Sequence, residues 1–526
     1  QSGKNIFVHV YGNRDSFSGG GMVQDFKELE EKKVTDMEMD KGFAGLLDDW
    51  QTARKEIPAF CFWENGEERT VTFGDWVSDV CRFASRLKVI CGSGSMPGEN
   101  TGNIGLAAAN CYEWFVAFYG IILSGKTVVS LNRDLPGEEL MAMAGSADAM
   151  LVLADRELME YLGETDSRLL SLEDMVRESR MARDGEGKER AADFSGDPDS
   201  AAFILYSSGT SGVSKGVMLS QRNIMTVLLE PSDEIRGGRF LLSLPMHHIA
   251  GIQISLMYLA FGVTIFINSS IKYLIRDIFR FTPSIMSVVP IQLDLLASKI
   301  KKDRRLRETA AACLKSVVSL GAPLMNEYEE IFSPLGIQIL NAYGLTETSG
   351  YINSWHPHRK GSVGRILSRN KFRLEEGEIL VKGPSVMLGY YKNRAATELA
   401  IRDGWFYTGD LGRLDEEGFL YLTGRKKNTI ILANGENVSP EELEQKLFFC
   451  PYVKEVIVSG SDGQITAIVY LGDCGEEARR EVKAWVERLN RQEPTYRQIR
   501  RIHFRDTPFE KTGSGKIKRK ERMEIE

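Results

Sequence analysis

Short apolar runs alternate along this chain with stretches whose apolar positions recur every three or four residues. Residues 103–109, 127–131, 150–154 and 284–290 are runs of strand length, while 112–123 and 291–300 carry the helical period. That alternation predicts α/β layers built on mainly parallel sheets. From 361 to 421 the pattern changes to short strands and turns, for example 377–383 and 418–422, which predicts a small β-rich unit. Beyond Arg425 it changes again. Helix 440–448, strands 453–459 and 464–471, helix 476–490 and a basic tail over 497–522 describe an α+β module, with the tail expected to be solvated or to touch phosphate.

Residues 249–271 carry no charged side chain, which superficially suggests a membrane span. Gln253, Gly262, Thr264 and the pair Asn268-Ser269 break the run, so the prediction is a buried helix to about Phe261 and a core strand over 263–267. The charged stretch 177–198 is expected to be a mobile surface connection. With 526 residues, 43% of them hydrophobic, the chain can fill two or three packed units. A net charge of −7 gives no electrostatic case for nucleic acid or an anionic membrane as partner. Seven cysteines without CxxC spacing fit a reduced, cytoplasmic chain. His9, Arg14 and Asp15 interrupt any apolar run at the start, so no signal peptide is expected; residues 1–21 read as an added or disordered extension before Met22.

Behind the apolar run 201–205 comes YSSGTSGVSKGVMLS, residues 206–220. Glycines at 209, 212 and 216 let backbone amides converge, Ser207, Ser208, Thr210, Ser211 and Ser214 add hydroxyls, and Lys215 adds a charge. Such a loop suits nucleotide phosphates, although the composition also describes a surface glycine-serine linker. It is no Walker A loop, because Gly216 follows Lys215 where a Ser or Thr ligand for magnesium would stand. A metal bound with the nucleotide then needs an acid from elsewhere. Glu347, beside Thr346 and Thr348, offers a hard oxygen ligand, or else a helix cap. Asp410 in TGDLG could hold a ribose diol or simply make a turn, and Tyr343 offers a flat face for a base. Lys516 lies in the glycine- and serine-rich KTGSGK, whose flexibility suits a side chain that enters and leaves a cleft. His247 and His248 have no third ligand nearby and read as a core or gate pair rather than a metal site.

The loop at 206–220, NAYGLTETSG at 341–350, GWFYTGDLG at 404–412, GRKKNTIILANGENVSPEELE at 424–444 and EKTGSGKIKR at 510–519 together resemble the acyl- and aryl-CoA synthetase, adenylation-domain and luciferase superfamily of adenylate-forming enzymes. In appearance the chain is nearest to bacterial AMP-forming acyl-CoA synthetases, from TVTFGDW at 70–76 almost to its end. The resemblance implies a large N-terminal domain, 22–426, of layered α/β sheets plus the β-rich subdomain. It implies a small mobile α+β domain, 427–526, that rotates about a hinge at Lys427, with Asn428 where relatives commonly carry aspartate.

The implied activity is that of an acid:thiol ligase. ATP and a carboxylic acid give acyl-AMP and pyrophosphate, Mg²⁺ assists, and the acyl group passes to coenzyme A. By the same resemblance Ser207, Ser208, Gly209, Thr210, Ser211, Gly212 and Lys215 hold ATP phosphates, while Gly321, Ala322, Pro323, Asn341, Ala342, Tyr343 and Gly344 surround the adenine side. Asp410 and Arg425 serve the ribose, Thr346 the α-phosphate, Glu347 the Mg²⁺, and Lys516 the transferring phosphoryl group. His248 and Gly251 fall in the segment that gates the acyl pocket, and Gly435 and Glu436 line the thiol tunnel, beside Asn434 in place of a common glycine. No aspartate occurs over 246–276 to hold a substrate ammonium, which favours a fatty or otherwise hydrophobic acid. Carrier-protein phosphopantetheine is the alternative acceptor, and a nucleotide-binding protein without catalysis is the alternative of another class. No nucleic acid or integral membrane segment is expected.

Overall fold

The helix Tyr112–Leu123 is apolar on every side, and all of it except Glu113 is buried, as a helix without a polar face must be. It shares one continuous core with Trp50, Phe60, Trp76, Phe203 and Ile254. The computed structural model describes residues 40–64, 66–92, 102–163, 166–181, 190–194, 196–207, 214–226, 228, 238–321, 326–354, 358–367, 369–432, 436–461, 464–472, 475–511, 517 and 519.

Two seven-stranded sheets contribute to that core. The first runs Gln338–Ala342, Ser316–Leu320, Ile285–Val288, Arg239–Leu242, Thr264–Ile267, Pro58–Glu64 and Glu67–Thr72, parallel except for the final hairpin. The second runs Gly389–Tyr390, Lys215–Ser220, Ala201–Ser207, Thr127–Ser130, Asn103–Ala107, Ala149–Ala154 and Leu169–Ser171, with its first two pairings antiparallel. Strands such as Asn103–Ala107 and Ile285–Val288 are buried at every residue, which is why they read as unbroken apolar runs. Helix Ile249–Ala260 and strand Thr264–Ile267 account for the uncharged stretch, and among the described residues no helix is long and apolar enough to cross a membrane.

The β-rich unit is an antiparallel sheet of Lys371–Glu375, Glu378–Lys382, Trp405–Leu414, Leu420–Arg425 and Ile401–Arg402. After a single turn, Lys426–Asn428, the chain forms helix Pro440–Phe448, the hairpin Glu455–Ser461 and Gln464–Tyr470, helix Glu476–Gln492 and strand Ile499–Arg505, with their own core around Leu443, Val458 and Val482.

Two expectations need correction. The stretch 177–198 begins inside helix Leu172–Met181, and Ala191 and Phe194 are 0% and 3% exposed, anchored in the main core, while 182–189 and 195 lie outside the described residues. The basic tail begins with a strand, Ile499–Arg505, that pairs parallel with Gln464–Tyr470. Its exposed arginines, and a register shift that breaks the alternation after Ile499, hid Ile499, Ile502 and Phe504, which pack onto the module's core.

Candidate active site

The hairpin Gly344–Leu345 and Gly350–Tyr351 carries a single turn, Thr346–Thr348, at its tip. Thr348 is fully buried, and its hydroxyl lies within hydrogen-bond reach of Leu345 O and Gly350 O while accepting from Leu345 N at 3.0 Å. Burying Thr348 leaves Thr346 and Glu347 half-exposed at the tip. Gly350 has φ 103°, and a Cβ there would stand 1.8 Å from Gln253 Oε1. That absence of a side chain lets buried Gln253 accept from Tyr351 N at 2.7 Å and donate to Tyr351 O at 3.3 Å, fixing the hairpin to helix Ile249–Ala260.

Glu347 therefore reaches the end of strand Ala201–Ser207. Its Oε1 accepts from Ser207 Oγ at 3.4 Å and from Tyr390 Oη at 3.0 Å, and its backbone oxygen accepts from Met387 N at 2.9 Å. Lys215, at the start of the returning strand, lies 4.8 Å from the centroid of the Tyr390 ring. Ser208, Gly209, Thr210, Ser211 and Gly212 lie outside the described residues, as do Ala322 and Pro323. What is described is the frame: the antiparallel strands Ala201–Ser207 and Lys215–Ser220 on either side of the loop.

Strand pairing sets Asp410 opposite Arg425. Arg425 Nε meets Asp410 Oδ1 at 2.5 Å, and Tyr343 Oη donates to Asp410 Oδ2 at 2.9 Å. Burial first, and the Asp410 charge next, push the Tyr343 phenol well above its ordinary range, so it remains a donor. Tyr343 is only 6% exposed, with its ring among Ile352, Val363 and Leu420, so its hydroxyl is a contact that the sequence reading had not considered. Asn353 holds the approach to it, accepting from Tyr343 N at 2.7 Å and donating to Asn341 O at 3.3 Å. Gly321, with φ 86°, and Ala342 end neighbouring parallel strands, where ligands of open α/β sheets gather.

Residues 47–391 match the model of the AMP-binding enzyme family, and residues 427–525 match that of the AMP-binding enzyme C-terminal domain. The chain belongs to the AMP-binding enzyme family. It is 30% identical to a 2-succinylbenzoate–CoA ligase of Geobacillus kaustophilus over 75% of this chain and 81% of the relative. It is 26% identical to the long-chain-fatty-acid–CoA ligase FadD15 of Mycobacterium bovis over 74% and 76%. Among solved structures it is similar to the o-succinylbenzoate coenzyme A synthetase of Bacillus subtilis in complex with ATP and magnesium, with TM-score 0.70, 24% identity and 90% and 98% coverage. The chain is thus an AMP-binding enzyme of the ligase class.

His248 is exposed and opens helix Ile249–Ala260, while His247 is half-buried, with the two ring centroids 4.1 Å apart. Burial, with His248 beside it, pushes His247 down to about 3, so it stays neutral. Among the described residues no cluster of three His, Cys, Asp or Glu side chains could hold a metal ion. Gly251 lets the turn close: a Cβ there would stand 2.6 Å from Pro245 O. Gly251→Ala is therefore expected to lower stability by about 1–3 kcal/mol through overpacking and to raise KM for the acid while leaving KM for ATP in place. A thermal melt and paired KM measurements check this, and an unchanged acid KM counts against a role for this turn in acid binding.

Glu378 is a further residue that sequence reasoning missed. It is 4% exposed, and it accepts from Gly409 N at 3.1 Å and from Lys426 Nζ at 2.7 Å, joining the segment before Asp410 to the turn that contains Lys427. Its Gly-Glu-Ile surroundings read only as a strand start. Lys427 is exposed, and Asn428 Nδ2 donates to Glu441 Oε1 at 2.5 Å. Gly435 lies outside the described residues, and Glu436 is exposed with its backbone oxygen accepting from Leu432 N. Lys516 is also outside them. Lys511 and Arg519 flank it and both are ion-paired: Lys511, still exposed as expected, to Glu455 at 2.7 Å, and the half-buried Arg519 to Glu444.

Proposed function

We propose that this AMP-binding enzyme activates a hydrophobic carboxylic acid, fatty or aryl, and transfers it to the thiol of coenzyme A. The carboxylate oxygen attacks the α-phosphorus of ATP and pyrophosphate leaves; the thiol sulfur then attacks the acyl carbon, AMP leaves, and the thiol proton goes to solvent. The observation that carries this reading is Glu347, held by neutral donors at the mouth of the phosphate loop with Lys215 close by.

Glu347 is the residue that would hold Mg²⁺, and the fit is that of an ion kept by one carboxylate together with substrate phosphates. Bound there, the ion would offset charge on the β- and γ-oxygens. Thr346 and Lys215 serve the phosphates, Asp410 the ribose with Arg425 and Tyr343 behind it, and Lys427 the hinge between the two units. His248 stands at the acyl entrance, where each methylene buried adds about 0.8 kcal/mol. The relative named for long-chain fatty acids supports a fatty acid, and the one named for 2-succinylbenzoate, an aryl dicarboxylic acid, supports an aryl acid with a second carboxylate. The described cysteines are free, which supports work in the reducing cytoplasm.

Pyrophosphate exchange over straight-chain, aryl and amino acids tests this reading without presupposing a thiol. A hydrophobic acid is expected to give the fastest exchange, and an amino acid preferred over all of them would refute the pocket assignment. Glu347→Gln is expected to slow exchange by roughly 10²-fold, the scale of losing one preorganised electrostatic contact, with AMP affinity retained. Unchanged exchange at limiting Mg²⁺ would mean that the ion is held elsewhere.

A further inference from the structure

Lys215 and Glu347 carry opposite charges into one small region, yet among the described residues no ion pair joins them. Direct pairing would occupy the carboxylate and the ammonium with each other and blunt both toward a metal and a phosphate. The side chain touching both is Tyr390. It is 8% exposed; its hydroxyl donates to Glu347 Oε1 at 3.0 Å and its ring centroid lies 4.8 Å from Lys215 Nζ.

Backbone pairing fixes that geometry. Tyr390 lies opposite Val217 in the antiparallel pairing with Lys215–Ser220, and Tyr391 N donates to Gly216 O at 2.7 Å. Because side chains on a strand alternate faces, Lys215 shares the face of Val217 and is the diagonal neighbour of Tyr390. Tyr390 N donates to Thr397 Oγ1 at 2.9 Å, and Met387, three residues earlier, holds the backbone of Glu347. One short segment thus grips Glu347 by main chain and side chain. Ser207 reaches the same oxygen, Oε1, so the described donors leave Oε2 open.

We propose that Tyr390 is a positioning residue that keeps the two charges apart: its hydroxyl fixes Glu347 with Oε2 left for the nucleotide's metal, and its face holds the Lys215 ammonium for a phosphate of the nucleotide. This rests on the ligase reading and adds to it a division of labour between ring and hydroxyl. A ring face attracts an ammonium without neutralising it, so Lys215 keeps its full charge for a phosphate.

Tyr390→Phe keeps the ring and removes the donor; Tyr390→Leu removes both. Calorimetric titration with ATP, with and without Mg²⁺, and with pyrophosphate and AMP, separates the two roles. In Tyr390→Phe the gain in ATP affinity that Mg²⁺ brings should fall about tenfold, the scale of one hydrogen bond to a charged group, with metal-free pyrophosphate binding unchanged. Tyr390→Leu should add a roughly two- to fivefold loss of metal-free pyrophosphate affinity, the scale of one cation–π contact. AMP should bind all three proteins alike. Tyr390→Phe with the wild-type Mg²⁺ gain, or Tyr390→Leu indistinguishable from Tyr390→Phe, overturns this inference alone. Wild-type protein that binds neither ATP nor pyrophosphate overturns the ligase reading and this inference with it.

Discussion

Lys516→Ala is expected to lower acyl-adenylate formation by roughly 10²–10³-fold, the effect of removing one preorganised charge from a developing anion, while thioester formation from synthetic acyl-AMP stays close to wild type. The expectation rests on how the ends of its loop are fixed. Lys511 and Ile517 form an isolated antiparallel bridge, Lys511 pairs with Glu455, and Phe509 N donates to the other oxygen of that carboxylate at 2.7 Å. Glu455 opens the hairpin strand Glu455–Ser461, so Lys516 is carried by the C-terminal unit. If that unit turns about Lys427 between half-reactions, Lys516 serves only the orientation in which it faces the α-phosphate. Single-turnover assays of each half-reaction read the split directly. Equal loss of both would show that Lys516 acts through the fold or on a step common to the two, and would remove the case for rotation.

Periodicity made the layers legible because buried elements have no latitude in sequence. The helix read at 112–123 is Tyr112–Leu123, and the helix read at 440–448 is Pro440–Phe448. Strand 150–154 is Ala149–Ala154, paired parallel to Asn103–Ala107 as an α/β alternation requires. The motifs carried Ser207, Glu347, Asp410 and Arg425, and the fold brings the first two together across 140 residues and pairs the last two across a strand ladder. Hidden from any local reading were the residues that hold these in place. Tyr390 meets Glu347 across 43 residues and Glu378 meets Lys426 across 48, and neither acidic nor aromatic residues in strands announce such partners.

An uncharged stretch such as 249–271 would suit the wall of an apolar acyl pocket, yet the helix Ile249–Ala260 is buried at every residue except Ala250 and belongs to the main core. Packing against the protein explains its composition without any substrate.

Arg519→Met is expected to destabilise the C-terminal unit once pH exceeds about 7, by about 1.4 kcal/mol for each unit by which it raises the Glu444 carboxyl further, because it strands a buried carboxylate. Glu444 is 8% exposed; both of its oxygens are met by Arg519, and Oε1 also accepts from Val458 N at 2.6 Å. Arg519 in turn donates to Val458 O at 3.2 Å, so its loss also frees a strand carbonyl. Burial pushes the Glu444 carboxyl up from 4.5 to about 7 in spite of Arg519, and removing the guanidinium pushes it higher still. A folded-state pKa above the unfolded value gives stability that is complete below about 4.5 and lost as pH rises through about 7. The deficit of Arg519→Met should therefore be small near pH 5, where the carboxyl is protonated, and large near pH 8. Pairing it with Glu444→Gln should recover most of the loss at the higher pH, since no charge then remains to be stranded. Calorimetric melts of the two single variants and the double variant at both pH values measure this, and an equal deficit at both, unrelieved by Glu444→Gln, would show that Arg519 matters for packing and not for charge.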